Sequence, residues 1–142
     1  MQSIEQFREQ VLAASANGRA LRIRGGGTKD WYGQRVEGGI LDTRIHSGIV
    51  DYEPTELVIT ARCGTPLAEI EAALAEPNQM LAFEPIDLAP VIGQEPGHGT
   101  VGALFAMNLS GARRISAGAA RDHLIGITAI SGEGVAFRSG GR

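Results

Sequence analysis

A chain of 142 residues, 43% apolar and 20% charged, has the length and balance of one soluble globular domain and is not a disordered chain. No apolar run approaches the ~18 residues of a membrane helix, Met1 to Gln10 lacks the apolar core of a signal peptide, and the single Cys63 excludes a disulfide framework. The formal charge of −3 argues against a nucleic-acid partner, and the expectation is a cytoplasmic domain whose 20 glycines need an explanation.

Ser3 and Gln6 fit a capping box, with Ile4, Phe7 and Val11 on one helical face and Asn17-Gly18 as the stop. Leu21 to Arg24 alternates apolar and charged residues and predicts a short strand. Further strands are expected over Gly39 to Asp42, Gly48 to Tyr52 and Leu57 to Ala61, with Glu53-Pro54-Thr55 as a turn. Thr65-Pro66 reads as N-cap and first residue of a second helix, whose apolar face is Leu67, Ile70 and Leu74. Met80 to Phe83 is expected to be a strand, and Glu84 to Gly99 a loop. Thr100 caps a short helix to about Asn108, and Gly111 to Arg121 is a loop. Leu124 to Ile130 and Val135 to Arg138 form strands around a turn at Gly132 to Gly134. This order predicts an α+β domain. A chain stopping just inside a hairpin reads as a fragment.

Three segments stand out as candidate sites. Arg24-Gly25-Gly26-Gly27-Thr28-Lys29 follows a strand, and consecutive glycines there can turn their N–H groups toward one point as an anion nest. A flexible turn is the alternative, and no Gly-Lys-Ser/Thr follows to make a Walker loop. Gly97-His98-Gly99-Thr100-Val101-Gly102 is formally G-x-G-x-x-G, with Asp122 lying 20 residues past Gly102. The Rossmann context fails: Gln94-Glu95-Pro96 stands where a strand should, and Asp122 precedes an apolar strand instead of ending one. The third segment, Asn108 to Asp122, is a glycine-containing loop with Arg113, Arg114 and Arg121. His46, His98, His123 and Cys63 lack zinc-ligand spacing, and no metal site or catalytic residue is identified. Trp31 and Tyr32 are read as packing over the glycine loop.

Taken in order and spacing, these segments resemble the FAD-binding domain of the vanillyl-alcohol oxidase superfamily, the p-cresol methylhydroxylase type. Arg24 to Thr28 is similar to its pyrophosphate loop, and Glu53 to Val58 to its P-x-x-x-V strand entry. Gly99 to Ala103 with Asn108 to Gly111 resembles the second flavin-binding signature, and Gly118 with Arg121-Asp122-His123 the closing G-x-x-R-D segment. Ser110 to Arg114 and Ala117 to Asp122 are most similar to the family of FAD-binding subunits of bacterial glycolate oxidases.

The resemblance implies a fold of two small α/β subdomains spanning residues 1–142, incomplete at the C-terminus and without the capping domain. It implies FAD on Arg24, Gly25, Gly26, Gly27 and Thr28, with the helix beginning near Thr100 adding its dipole. Thr100 and Ala103 belong to the second signature, while Gly102 and Gly111 would leave room for the cofactor. Gly118, Asp122 and Ile127 close the site, Ile127 through backbone contacts. Thr28 and Lys29 stand where some members carry a flavin-linking His, so non-covalent FAD is expected. Implied partners are a flavin catalytic subunit and an iron–sulfur subunit, in oxidation of glycolate to glyoxylate. Any membrane association would come through them. The alternatives are another member of the superfamily such as a D-lactate dehydrogenase, or an assembly subunit that has lost FAD. No substrate-side base is identified, and the chain alone is not expected to turn over substrate.

Overall fold

The computed structural model describes residues 2–141. Met1 and Arg142, which the reading above places in the domain, lie outside the described residues. Helix α1 (Gln2–Ala16) leads into strand β1 (Leu21–Arg24), which pairs in parallel with β2 (Gly39–Asp42). Strand β3 (Ile49–Glu53) pairs antiparallel with β4 (Val58–Ala61), and helix α2 (Leu67–Ala75) follows. Helices α3 (Val101–Met107) and α4 (Arg114–Ala117) precede an antiparallel hairpin of β5 (Gly126–Ile130) and β6 (Ala136–Gly140). The described strands thus form three separate two-stranded sheets in an α+β fold.

Several local expectations are corrected. Ser3 does not cap α1: it lies inside the helix, and its hydroxyl shares a 2.6 Å hydrogen bond with His46 Nδ1. Thr65 does not cap α2 either, because Pro66 is the N-cap. The Thr65 hydroxyl instead accepts from Gly48 N–H at 2.9 Å and lies 2.7 Å from the Arg62 carbonyl, tying the start of β3 to the start of α2. Met80 to Phe83 is not a strand. Asn78 takes a left-handed φ of 59°, Gln79 N–H closes onto Leu74 O, and Glu84 N–H returns to Leu81 O. The chain therefore turns, and Phe83 points inward. The expected loop Gly111 to Arg121 contains α4 and the start of a 3-10 turn at Ala120–His123, and β5 starts at Gly126 because Leu124 ends that turn.

Phe83 is the hub of the core. It is 1% exposed and clusters with Leu67 of α2, Leu104 of α3 and Ala120. Phe105 and His123 rings meet it at 6.1 and 5.1 Å. Both later candidate segments are thereby built onto one buried ring.

The docking of α1 carries a titratable contact. Phe7 meets His46 edge-on, and burial, with the charge of Arg62, holds His46 below its ordinary value of 6.5. The folded chain then binds this proton more weakly than the unfolded chain. The contribution is complete above the unfolded value and is lost as pH falls through the lowered folded one. The protection of α1 amides, taken relative to their intrinsic exchange at each pH, should fall on acidification below pH 6.5. His46→Gln should remove that pH dependence. Protection that ignores pH in the wild type would show that His46 does not hold the helix.

Candidate functional site

The glycine segment leaves β1 as a loop whose backbone donors face no protein acceptor. The N–H groups of Gly25, Gly26, Gly27, Thr28 and Lys29 donate to nothing among the described residues, whereas the last three carbonyls are used: Gly27 O accepts from Asp30 N–H, Thr28 O from Trp31 Nε1 and Lys29 O from Tyr32 N–H. A half-buried row of unpaired N–H groups is costly unless an acceptor arrives. Gly27 has φ of 77°, the left-handed backbone that glycine adopts without penalty. Trp31 does pack onto the loop, and Tyr32 meets it edge-on at 5.8 Å.

The second segment lies directly against the first. A Cβ on Gly26 would overlap the His98 carbonyl oxygen, and a Cβ on Gly25 would overlap the Thr100 hydroxyl. The glycines are therefore what let the two loops touch. The N–H groups of His98, Gly99 and Thr100 also lack acceptors among the described residues. The Gly99 and Thr65 carbonyls pair with Leu67 and Val101 N–H at 2.8 and 2.9 Å, clamping this segment to the start of α2. Asp87 holds its other end, accepting from Ala89 N–H and from Gly97 N–H at 2.7 Å. No sequence motif flags Asp87. An Asp accepting from the amide two residues on is the available signal.

Thr100 is the N-cap residue of α3, but its hydroxyl does not cap it. The Thr100 Oγ1 atom is buried with no hydrogen-bond partner among the described residues, and Thr100 is 3% exposed. It lines a recess of about 40 Å³ together with Lys29, Glu71, Asp87 and Gly99. Burial lowers Lys29, opposed by the charge of Asp87, and burial raises Glu71. An orphaned buried hydroxyl next to Gly25, with two runs of amides lacking acceptors nearby, supplies donors for a ligand rich in oxygen acceptors, such as a pyrophosphate. Thr100→Val removes the orphan while keeping the shape. It should leave the unliganded chain unchanged or stabilise it by about 1 kcal/mol, by thermal melting, and weaken FAD binding. A clear loss of stability without ligand would mean that the hydroxyl already has a partner.

Helix α3 plays a different part from the one expected of it. Its first donors are occupied: Gly102 N–H donates to Cys63 O at 2.8 Å and Val101 N–H to Thr65 O. A Cβ on Gly102 would sit 2.7 Å from Cys63 Cβ, so the space there is filled by protein. Ala103, the next residue, is half-buried within α3. Gly111 likewise packs on Glu84, where a Cβ would lie 2.6 Å from the carbonyl oxygen, and its N–H bonds Phe83 O and Glu84 O. Arg24 is tied down as well: its Nε bonds Asp30 at 2.8 Å, and Asp30 also holds Arg22 at 2.7 Å.

The third segment is ordered by its own side chains. Ser110 Oγ accepts from Ala120 N–H and Asn108 Oδ1 from Arg121 N–H, at 2.9 and 3.0 Å. Asn108 also ends α3 in the left-handed region, φ 48°. Gly118, φ 86°, abuts Asp122, whose carboxylate accepts from Ala119 N–H at 2.7 Å. Ile127 lies on β5 opposite Ser139 and is exposed. Of the residues singled out from sequence, Lys29, Gly97, Gly99 and Thr100 line the recess, Gly25 to Thr28 do not, and Gly118, Asp122 and Ile127 belong to this separate group of elements.

This arrangement of glycine loop, second signature and closing turn is matched by the family described as FAD binding domain, over residues 1–140. The chain belongs to that family. It is 47% identical over 133 residues to glycolate oxidase subunit GlcE of Escherichia coli, an alignment covering 94% of this chain and 36% of GlcE. It is 28% identical over 141 residues to an uncharacterized FAD-linked oxidoreductase of Mycobacterium tuberculosis, covering 97% of this chain and 28% of that protein. The chain thus spans about a third of the length of these relatives. The family, the α+β fold and FAD as cofactor agree with the sequence reading. Among the described residues no helix is long and apolar enough to cross a membrane.

Proposed function

We propose that this chain is the FAD-binding portion of a glycolate oxidase subunit, acting as one cofactor-binding unit and holding FAD non-covalently. The observation that carries the reading is the run of N–H groups from Gly25 to Lys29 without acceptors among the described residues, in a loop that packs against His98 and Thr100. Backbone donors of Gly25, Gly26, Gly27 and Thr28 would bind the pyrophosphate, and the Thr100 hydroxyl would donate to it. Arg24, held by Asp30, would orient the loop instead of reaching the phosphates itself. Gly102, Ala103 and Gly111 would position the second loop through Cys63 and Glu84. Gly118 and Asp122 would shape the closing turn, and Ile127 would offer its strand backbone. Thr28 and Lys29 offer no imidazole for a covalent flavin link.

When bound, FAD supplies the two-electron acceptor that oxidation of a 2-hydroxy acid requires. In the whole protein, glycolate would lose a hydride from carbon and a proton from its hydroxyl, giving glyoxylate. A flavin catalytic subunit and an iron–sulfur subunit would be the partners that complete the reaction and carry electrons away. The similarity to GlcE supports this substrate and this assembly. Any membrane association would run through those partners, with this chain on the cytoplasmic side.

The test is the visible absorbance of the purified chain before and after denaturation, with FAD added in parallel. A flavin band that passes into solution on unfolding is expected. Flavin retained by the denatured polypeptide would overturn the non-covalent assignment, and no binding at all would overturn the cofactor reading for this chain.

A further inference from the structure

We propose that Asp87 is a positioning residue that fastens the two loops to each other, closing the His98 loop through backbone amides and drawing the Lys29 ammonium of the glycine loop toward the same recess. Its two carboxylate oxygens take separate partners. One accepts from Ala89 N–H at 2.9 Å and the other from Gly97 N–H at 2.7 Å. Residues ten apart in sequence are thereby joined, and Ala89, fully buried, anchors the excursion between them. On the far side Leu67 N–H holds Gly99 O, so His98 is fixed from both directions.

The recess beside this clamp carries two carboxylates, which suit a cation, and the chain itself supplies one. Asp87 and Glu71 of α2 line it together with Lys29 and Thr100. Lys29 Nζ lies 3.5 Å from Thr28 Oγ1 and beside Gly99, and it closes no ion pair among the described residues. In a half-buried site opposite charges attract without touching, because solvent screens them little. Lys29, Glu71 and Asp87 are the titratable groups facing one another there, with the Thr28 and Thr100 hydroxyls as neutral neighbours. Burial pushes Lys29 below its ordinary 10.5 and the charge of Asp87 opposes that fall. Glu71 is raised by burial and, as a like charge, by Asp87. One carboxylate thus acts on the glycine loop, the second loop and α2.

The consequence for FAD rests on the reading above, whereas the fastening is measurable without ligand. Side-chain NMR follows the Lys29 and Glu71 titrations, and flavin fluorescence follows FAD binding. In Asp87→Asn both titrations should move to lower pH, because Lys29 loses an attracting charge and Glu71 a repelling one. The Gly97 amide should lose protection, and FAD affinity should fall about tenfold. Lys29→Met should weaken FAD by a similar factor with Gly97 protection kept, and Lys29→Arg should retain affinity. The combined Lys29→Met and Asp87→Asn variant should lose no more than Asp87→Asn alone. Asp87→Ser, whose hydroxyl can take an amide bond without the charge, carries the same expectations should the asparagine variant fail to fold by circular dichroism. An unmoved Lys29 titration, or losses that simply add in the combined variant, overturns the proposal and leaves the FAD reading standing. A wild-type chain that takes up no FAD overturns that reading, and the two titrations then decide the fastening by themselves.

Discussion

Replacing Gly26 with alanine is expected to weaken FAD binding by about 10–100-fold while the helices and sheets persist. The added methyl would occupy the position of the His98 carbonyl oxygen, a backbone atom that no rotamer change can move. Relieving such overpacking costs roughly 1–3 kcal/mol, and each ~1.4 kcal/mol taken from binding is tenfold. The cost falls on the seam because His98 is held on both sides, by Asp87 at Gly97 and by Leu67 at Gly99. The loop 25–29 must then lift away from His98 and Thr100. Gly26→Asp should do more, since it also brings a carboxylate to an anion site. Gly132→Ala is the control, because a Cβ there meets nothing and its φ is ordinary. The measurement is FAD affinity by fluorescence or calorimetry alongside circular dichroism. Wild-type affinity in Gly26→Ala would show that the two loops do not act together on the cofactor.

Phe83→Ala should be the most destabilising single change, at about 3–5 kcal/mol. The ring is 1% exposed and joins α2, α3 and the turn holding Ala120. Its backbone carbonyl also receives Gly111 N–H at 2.9 Å. A cavity at this point loosens the second and third candidate segments together. Against a typical total of ~5–15 kcal/mol, such a loss leaves a large unfolded fraction. Urea denaturation followed by circular dichroism reads it directly, and Phe83→Leu should cost markedly less. A midpoint near wild type for Phe83→Ala would place the centre of the core elsewhere.

Local chemistry in the sequence was enough to locate much of this protein. Apolar spacing at Leu67, Ile70 and Leu74 marked α2, and the alternation of Leu21 to Arg24 marked β1. Glycines with left-handed backbone, Gly27 and Gly118, marked the loop after β1 and the later turn. These signals are legible because periodicity and φ preference act within a few residues. The family followed from their order along the chain. Where sequence reading failed, a distant partner outweighed local preference. Ser3 and Thr65 look like helix caps, yet their hydroxyls bond His46 and span Gly48 to Arg62. Met80 to Phe83 has strand composition, but burying Phe83 among Leu67, Leu104 and Ala120 is worth more than extending the backbone.

The same division runs through the site. The sequence by itself determined that a glycine loop follows β1, because consecutive glycines free to adopt positive φ interrupt a strand. Only the tertiary structure decided which segment each glycine admits. Gly25 and Gly26 admit His98 and Thr100, whereas Gly102 and Gly111 admit Cys63 and Glu84. It also decided how the cations are placed, since Asp30 engages both Arg22 and Arg24 while Lys29 lies beside Thr28 and Gly99. A missing Cβ and a positive charge are visible in any sequence, but what fills the space or meets the charge depends on chain segments that folding alone brings together.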